Sequence, residues 1–191
     1  MQFNEGKMTL NGKTFLPIKP YDAVDRGIAY VPGERMTEGV IINFSVMNNL
    51  SMCALPRKGL FVDKKREKEL ATEYIDKMNI KAYNSEIKCT SLSGGNLQKV
   101  VIGKCLSLNP KVLLLNNPTR GIDVGARFEI YRILNRLAEK GMSIMLLSEE
   151  LPELLNMSDR IAIMYKGVLR KILNKEEYTQ EEDIIRYMVR E

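Results

Sequence analysis

The segment from Pro110 to Leu147 places the strongest constraint on the fold. An apolar run at 112–115 is followed by a helical period from about 124 to 140, which ends at Gly141, and then by a second apolar run at 143–147. Two strands joined through a helix pair in parallel, because parallel neighbours need a long crossover connection. The sequence therefore predicts an α/β fold with a parallel core sheet.

The remaining segments predict three regions, at 1–40, 41–108 and 109–191. In the first, Asn11-Gly12 between two short alternating runs predicts a β-hairpin, and the apolar residues before Pro32 predict a buried strand. In the second, Asp63 and Ser93 are placed to cap helices of a mostly α-helical region. The third region adds two further elements to the strand–helix–strand segment: a hairpin that turns at Lys166-Gly167, and a final helix opened by a capping box of Thr179 and Glu182.

Composition excludes several functional classes. The 191 residues contain no histidine, which rules out Ser-His-Asp and Cys-His catalysis, and the three cysteines form no CxxC pair, so we expect reduced, packed thiols rather than disulfides or a thiolate metal site. No apolar run approaches the length of a membrane span and no signal peptide is apparent, so we expect a cytoplasmic protein without direct membrane insertion. The densest charged run, 63–69, has mixed signs at helical spacing, which predicts a solvated helix face and no nucleic-acid partner.

One stretch has the end of a phosphate-binding loop but not its context. Gly12-Lys13-Thr14 matches the tail of GxxxxGK[ST], yet Lys7 occupies the position of the first glycine. A true loop of this kind opens a helix, whereas here a strand follows and Pro17 prevents a helix. A hairpin turn is therefore the better interpretation.

A second glycine-rich stretch, SLSGGNLQK at 91–99, is better placed to contact phosphate. Ser93, Gly94 and Gly95 stand at the predicted start of a helix, where uncovered backbone amides and the helix dipole favour an anion. Taken alone, the same residues are better explained by a serine cap followed by glycines that allow close packing.

The two stretches LSGGNLQK and LLLNNPTRGID together resemble the signature motif, the Walker B strand and the D-loop of ABC transporter ATPases. The family's usual strand end is LLLDEPT, so Asn116 stands for the aspartate and Asn117 for the glutamate. The stretches GIAYVPGERMTEGVI and SEELPELLNMSDRIAIMYKG extend the resemblance over nearly the whole chain, to the C-terminal nucleotide-binding half of two-domain ATPases that drive bacterial importers of simple sugars.

The resemblance implies an incomplete P-loop NTPase-like ABC ATPase domain. It would have a parallel core sheet, an N-terminal β-hairpin remnant and an α-helical signature subdomain. Met1 falls just past the expected Walker A position, so we expect either a fragment or the product of a shortened reading frame.

The family uses ATP and Mg²⁺, and the departures from its motifs imply that this chain binds them weakly or not at all. Asn116 lacks the charge that supports a magnesium site, and Asn117 cannot act as a general base, a loss that typically costs about 10² to 10⁴ in rate. The switch position holds Glu149 instead of histidine, and Gly33 stands near the Q-loop where an acidic residue is expected.

The function implied by the resemblance is a degenerate nucleotide-binding domain of a sugar-import ATPase. It would be inactive alone and would lie at the inner face of the membrane beside permease subunits. Its nucleotide-contacting residues would be Ser93, Gly94, Gly95, Gln98 and Asp123, which would cover ATP held by a partner ABC half with an intact Walker A. An aspartate at position 95 is then expected to block this contact without disturbing the fold. The alternative is an interaction module that docks on a permease or partner ATPase without nucleotide.

Overall fold

The computed structural model describes residues 7–189 as an α/β fold, as the strand and helix periods predict. Its central sheet is parallel, in the order β3-β6-β7. Within the described part of the chain the strands are β1 (Thr9–Leu10), β2 (Lys13–Thr14), β3 (Ile28–Val31), β4 (Arg57–Lys58), β5 (Phe61–Val62), β6 (Val112–Asn116), β7 (Ser143–Leu147), β8 (Arg160–Tyr165) and β9 (Val168–Asn174). The helices are α1 (Pro20–Asp25), α2 (Val46–Ser51), α3 (Lys64–Lys77), α4 (Gly94–Leu106), α5 (Val124–Glu139), α6 (Leu151–Met157) and α7 (Glu182–Val189).

Both predicted hairpins are confirmed, and turn chemistry explains them. Asn11 and Gly12 have φ angles of 51° and 74°, and Lys166 and Gly167 have φ angles of 49° and 79°. Two consecutive residues with positive φ make the type I′ turn that matches the twist of paired strands. The first hairpin also places Gly12 in the turn and Lys13 and Thr14 in β2, away from the start of any helix in residues 7–189.

The central sheet has one buried face and one exposed face within the described residues. In register, Ala29 and Leu113 point to the core, where α4 and α5 pack. Tyr30, Met145 and Leu147 point the other way and are 53%, 67% and 59% exposed. Parallel sheets are usually covered on both faces, so residues 7–189 supply only one of the two covering layers.

The helical region forms as predicted, with one addition. Asp63 caps α3 by accepting a hydrogen bond from the Arg66 amide at 3.1 Å, and Ser93 caps α4. The addition is the β4–β5 hairpin, which the sequence analysis did not predict. Its two-residue loop begins with Gly59 at φ 63°, and such short strands give no visible alternation.

Two local expectations are wrong. The predicted capping box of Thr179 and Glu182 is replaced by bonds to Asp183, whose carboxylate accepts from the amides of Thr179 at 2.9 Å and Gln180 at 3.3 Å, just before α7. Cys53 is exposed, so only Cys89 and Cys105 are packed thiols. None of the helices in residues 7–189 combines the length and apolar character that crossing a membrane requires.

Candidate functional site

The start of α4 presents a capped and partly open helix N-terminus. Ser93 is exposed, and its hydroxyl oxygen accepts from the Asn96 side-chain amide at 2.9 Å and from the Asn96 backbone amide at 3.5 Å. Gly94 is half-buried, and among the described residues its backbone amide has no acceptor. A phosphate oxygen is chemically suited to this position, because it would complete the first turn of a 13-residue helix.

Gly95 and Gln98, by contrast, face the interior. A Cβ atom on Gly95 would lie 2.2 Å from the Cβ of Ala126, so glycine is required here for the close approach of α4 to α5. Gln98 is only 2% exposed. Both residues are buried, so their contact with nucleotide stays a prediction, whereas the close approach of Ala126 excludes aspartate at position 95 as a change that leaves the fold undisturbed.

Asp123 lies beside the start of α4 and begins the next helix. Its Oδ1 accepts from the Ala126 amide at 2.9 Å, which caps α5, and its Oδ2 is 3.6 Å from the position of a Cβ on Gly95. Asp123 is exposed. The fold thus brings together three of the five predicted nucleotide-contacting residues, Ser93, Gly94 and Asp123, on one surface.

Arg35 braces this surface, a role that the sequence analysis missed. Its guanidinium donates to the carbonyl oxygens of Arg120 at 2.7 Å and Gly121 at 2.9 Å. A Cβ on Gly94 would lie 3.3 Å from Arg35 Nη2, so the guanidinium sits between the signature stretch and the D-loop. Because its carbonyl partners are more than 80 positions away in sequence, no local pattern indicates this contact.

An ion pair between the buried Lys99 and the half-buried Glu129 holds α4 against α5 behind the surface. Lys99 is 2% exposed, and its ammonium group donates to the carbonyl oxygen of Asn79 at 2.8 Å and to the carboxylate of Glu129. The hydrogen bond from Lys99 lowers the pKa of Glu129, so the carboxylate remains charged at neutral pH. This pair fixes the position of the signature helix through its side opposite to solvent.

The asparagine pair at the end of β6 is tied into a local hydrogen-bond network. Asn117, at φ 45°, donates its backbone amide to the Leu147 carbonyl at 2.8 Å, and its Oδ1 accepts from the Glu149 backbone amide at 3.0 Å. Its Nδ2 donates to Asn116 Oδ1 at 3.2 Å, and Asn116 Nδ2 donates to the Tyr30 hydroxyl at 3.3 Å. Each amide oxygen therefore already accepts a hydrogen bond from the protein.

A cleft of about 380 Å³ lies in front of these asparagines. Its lining includes the exposed Glu149 at the predicted switch position, and an ion pair between Glu34 and Arg120 at 3.4 Å. Gly33 faces Asn116, since a Cβ there would lie 3.1 Å from Asn116 Nδ2. Magnesium prefers several hard anionic oxygens, yet the described residues contain no cluster of three acidic, histidine or cysteine side chains placed to hold a metal. The neutral, engaged amides at this strand end do not fit a Mg²⁺ ligand set.

Comparison with known proteins identifies the family. A family model described as "ABC transporter" matches residues 1–120. The ribose import ATP-binding protein of Shouchella clausii is 44% identical over 180 residues, which is 93% of this chain and 36% of that protein. The xylose import ATP-binding protein of Moorella thermoacetica is 41% identical over 179 residues, with 93% of this chain and 36% of that protein covered. The chain thus spans little more than a third of the length of the curated relatives it matches.

Solved structures show the same fold. A nucleotide-free ATP-binding cassette from an ABC transporter superposes with a TM-score of 0.79 at 21% identity, covering 98% of this chain and 74% of the cassette. A dimeric post-hydrolysis cassette bound to ADP and Pi gives a TM-score of 0.74 at 19% identity, covering 90% of this chain and 74% of that one. With a family model over residues 1–120 and a cassette fold over nearly all the described residues, the chain belongs to the ABC transporter family of ATP-binding proteins.

Proposed function

We propose that this chain supplies half of a nucleotide site in a sugar-import ABC ATPase and does not itself carry out hydrolysis. The sugar-import role is supported by the relatives, which are ribose and xylose import ATP-binding proteins. Support for the half-site comes from one observation, the surface at the braced start of α4 that is formed by the exposed Ser93 and Asp123 and the half-buried Gly94. In this role the chain would act beside permease subunits at the inner face of the cell membrane.

The chemistry of the half-site is phosphate binding across an interface. ATP held by the Walker A loop of a partner would place its terminal phosphate against Ser93 and Gly94. The serine hydroxyl and the glycine amide donate to the phosphate, and the dipole of α4 adds a favourable field. One solved cassette of the same fold is dimeric in a post-hydrolysis state with ADP and Pi bound.

The end of β6 does not support hydrolysis in this proposal. Asn117 has no basic group that can take a proton from an attacking water, and Asn116 provides no anionic oxygen for Mg²⁺. Both amides serve the local hydrogen-bond network instead. We expect ATP and Mg²⁺ to be bound mainly by the partner.

ATP-dependent association tests the half-site. The chain is mixed with an ABC sugar-import ATPase chosen for an intact Walker A sequence, and complex formation is followed by sedimentation with and without ATP. Two charge-assisted hydrogen bonds of about 1.5–3 kcal/mol each predict an association at least about tenfold tighter with ATP.

A matched pair of variants at Ser93 separates phosphate contact from helix capping. Aspartate and asparagine are both good N-caps, so Ser93→Asp and Ser93→Asn should both keep α4 folded. Only Ser93→Asp places a negative charge against the phosphate, so it should abolish the ATP effect, whereas Ser93→Asn should retain most of it. Equal association with and without ATP for the parent chain would favour an interaction module that works without nucleotide.

A further inference from the structure

The β4–β5 hairpin exposes two large apolar side chains at its tip. Leu60 is 98% exposed and Phe61 is 79% exposed, in a part of the chain that the family motifs do not include. Gly59 at φ 63° opens a two-residue turn, and Lys58 pairs with Phe61 across it. Nearly complete exposure of both tip residues is unfavourable in water, because neither removes its apolar surface from solvent.

The surroundings of the tip are cationic. Between Arg57 and Glu69 the sequence has six basic and three acidic residues. Two of the acids pair with bases of the same stretch, Asp63 with Arg66 at 3.8 Å and the buried Glu67 with Lys64 at 2.8 Å, and six bases against three acids leave a net charge of +3. Arg57 and Lys58, which are exposed, flank the apolar tip directly.

We propose that this hairpin docks on the surface of an anionic lipid membrane. Apolar tip residues flanked by cations match the interface of a bilayer. The acyl chains accept the apolar residues, and the anionic headgroups attract the cations. The hairpin is anchored to a rigid support, since Asp63 joins it to α3 and its amide donates to the Pro56 carbonyl at 2.9 Å. The tip would reach the boundary between the headgroups and the acyl chains and would not span the bilayer. The surface does not include the nucleotide half-site, so each proposal can fail without the other.

Vesicle binding by the full chain tests this proposal. Vesicles of phosphatidylcholine with about 30% phosphatidylglycerol should sediment the chain, and pure phosphatidylcholine should sediment much less. Leu60→Ser/Phe61→Ser should weaken binding at least about tenfold through lost apolar contact. Arg57→Gln/Lys58→Gln should give a similar loss, and about 0.5 M salt should abolish the difference between the two lipid mixtures. Tyr83→Ser, at a side chain that is 95% exposed elsewhere in the helical region, is the matched control and should bind as the parent does.

A single tryptophan gives a second readout that does not depend on affinity. The chain contains no tryptophan, so Phe61→Trp provides the only indole signal, and its emission should shift to the blue on adding anionic vesicles. Tyr83→Trp should not shift. Unchanged binding of the Leu60→Ser/Phe61→Ser variant, or equal shifts at the two positions, would overturn the proposal. Binding only to vesicles that carry a permease would also overturn it and would assign the tip to a protein partner.

Discussion

Replacing Gly95 by alanine adds one methyl group where α4 packs against α5. The added Cβ would lie 2.2 Å from the Cβ of Ala126, so the helices must separate by about 1.2 Å to reach ordinary contact at 3.4 Å. Overpacking of this kind costs about 1–3 kcal/mol, and the higher helix propensity of alanine returns at most about 1 kcal/mol. We therefore expect Gly95→Ala to lower the free energy of unfolding by about 1–2 kcal/mol.

Urea unfolding followed by circular dichroism measures this change. Gly94→Ala is the matched control, because its Cβ would lie 3.3 Å from Arg35 Nη2 and 3.7 Å from the Gly121 carbonyl oxygen, without the 2.2 Å overlap found at Gly95, and it should cost much less stability. Adding Ala126→Gly to the Gly95→Ala variant removes the opposing methyl group and should recover about 1 kcal/mol or more, measured as a double-mutant coupling. A Gly95→Ala variant as stable as the parent would refute the assignment of Gly95 to helix packing.

Two further predictions concern buried ionisable groups. Burial raises the pKa of Glu67, but hydrogen bonds from Lys64, Ser51 and Asn48 outweigh it and hold the pKa below its ordinary value of 4.5. This stabilisation is present above the pKa of Glu67 in the unfolded chain and is lost as the pH falls through its pKa in the folded chain. Glu67→Gln should therefore lower the free energy of unfolding by about 1.5–3 kcal/mol at pH 7. Below about pH 5, the free energy of unfolding should decline less steeply in the variant than in the parent. An equal decline of the free energy of unfolding in the parent and in the Glu67→Gln variant would contradict this prediction. Burial raises the pKa of Cys89 to about 11 and of Cys105 to about 12, so at pH 8 a thiol reagent should modify only Cys53 in the folded chain, and all three thiols after unfolding. Rapid modification of more than one thiol in the native state would show that the core is more open than described.

Features set by neighbouring residues were predictable from sequence. The turn at Asn11-Gly12 requires positive φ at two adjacent positions, and the residue types reveal it directly. The strand–helix–strand period from 112 to 147 likewise gave the parallel pairing of β6 and β7. The helix cap at Ser93 follows the same logic, because its acceptor and donor lie three residues apart.

Features set by tertiary contact were not predictable from the same patterns. Gly94 and Gly95 are adjacent glycines in the first turn of α4. The helix α5 nevertheless covers Gly95 and leaves Gly94 half-buried. Gln98 is a polar residue that is only 2% exposed, and no local pattern indicates its burial. Arg35 gains its bracing role only when the fold brings the carbonyl of Gly121 to it.

The most direct test of the half-site measures whether this chain raises the affinity of its partner for ATP. If ATP tightens association at least about tenfold, linkage requires that the chain tighten the ATP affinity of its partner by the same factor. Titration of a fluorescent ATP analogue into the partner, with and without a saturating amount of this chain, measures that factor, and titration into the chain alone provides the baseline. We expect tightening of about tenfold or more in the mixture, its loss with Ser93→Asp, and no saturable micromolar site on the chain alone. A micromolar site on the chain alone, or an unchanged affinity in the mixture, would contradict the half-site.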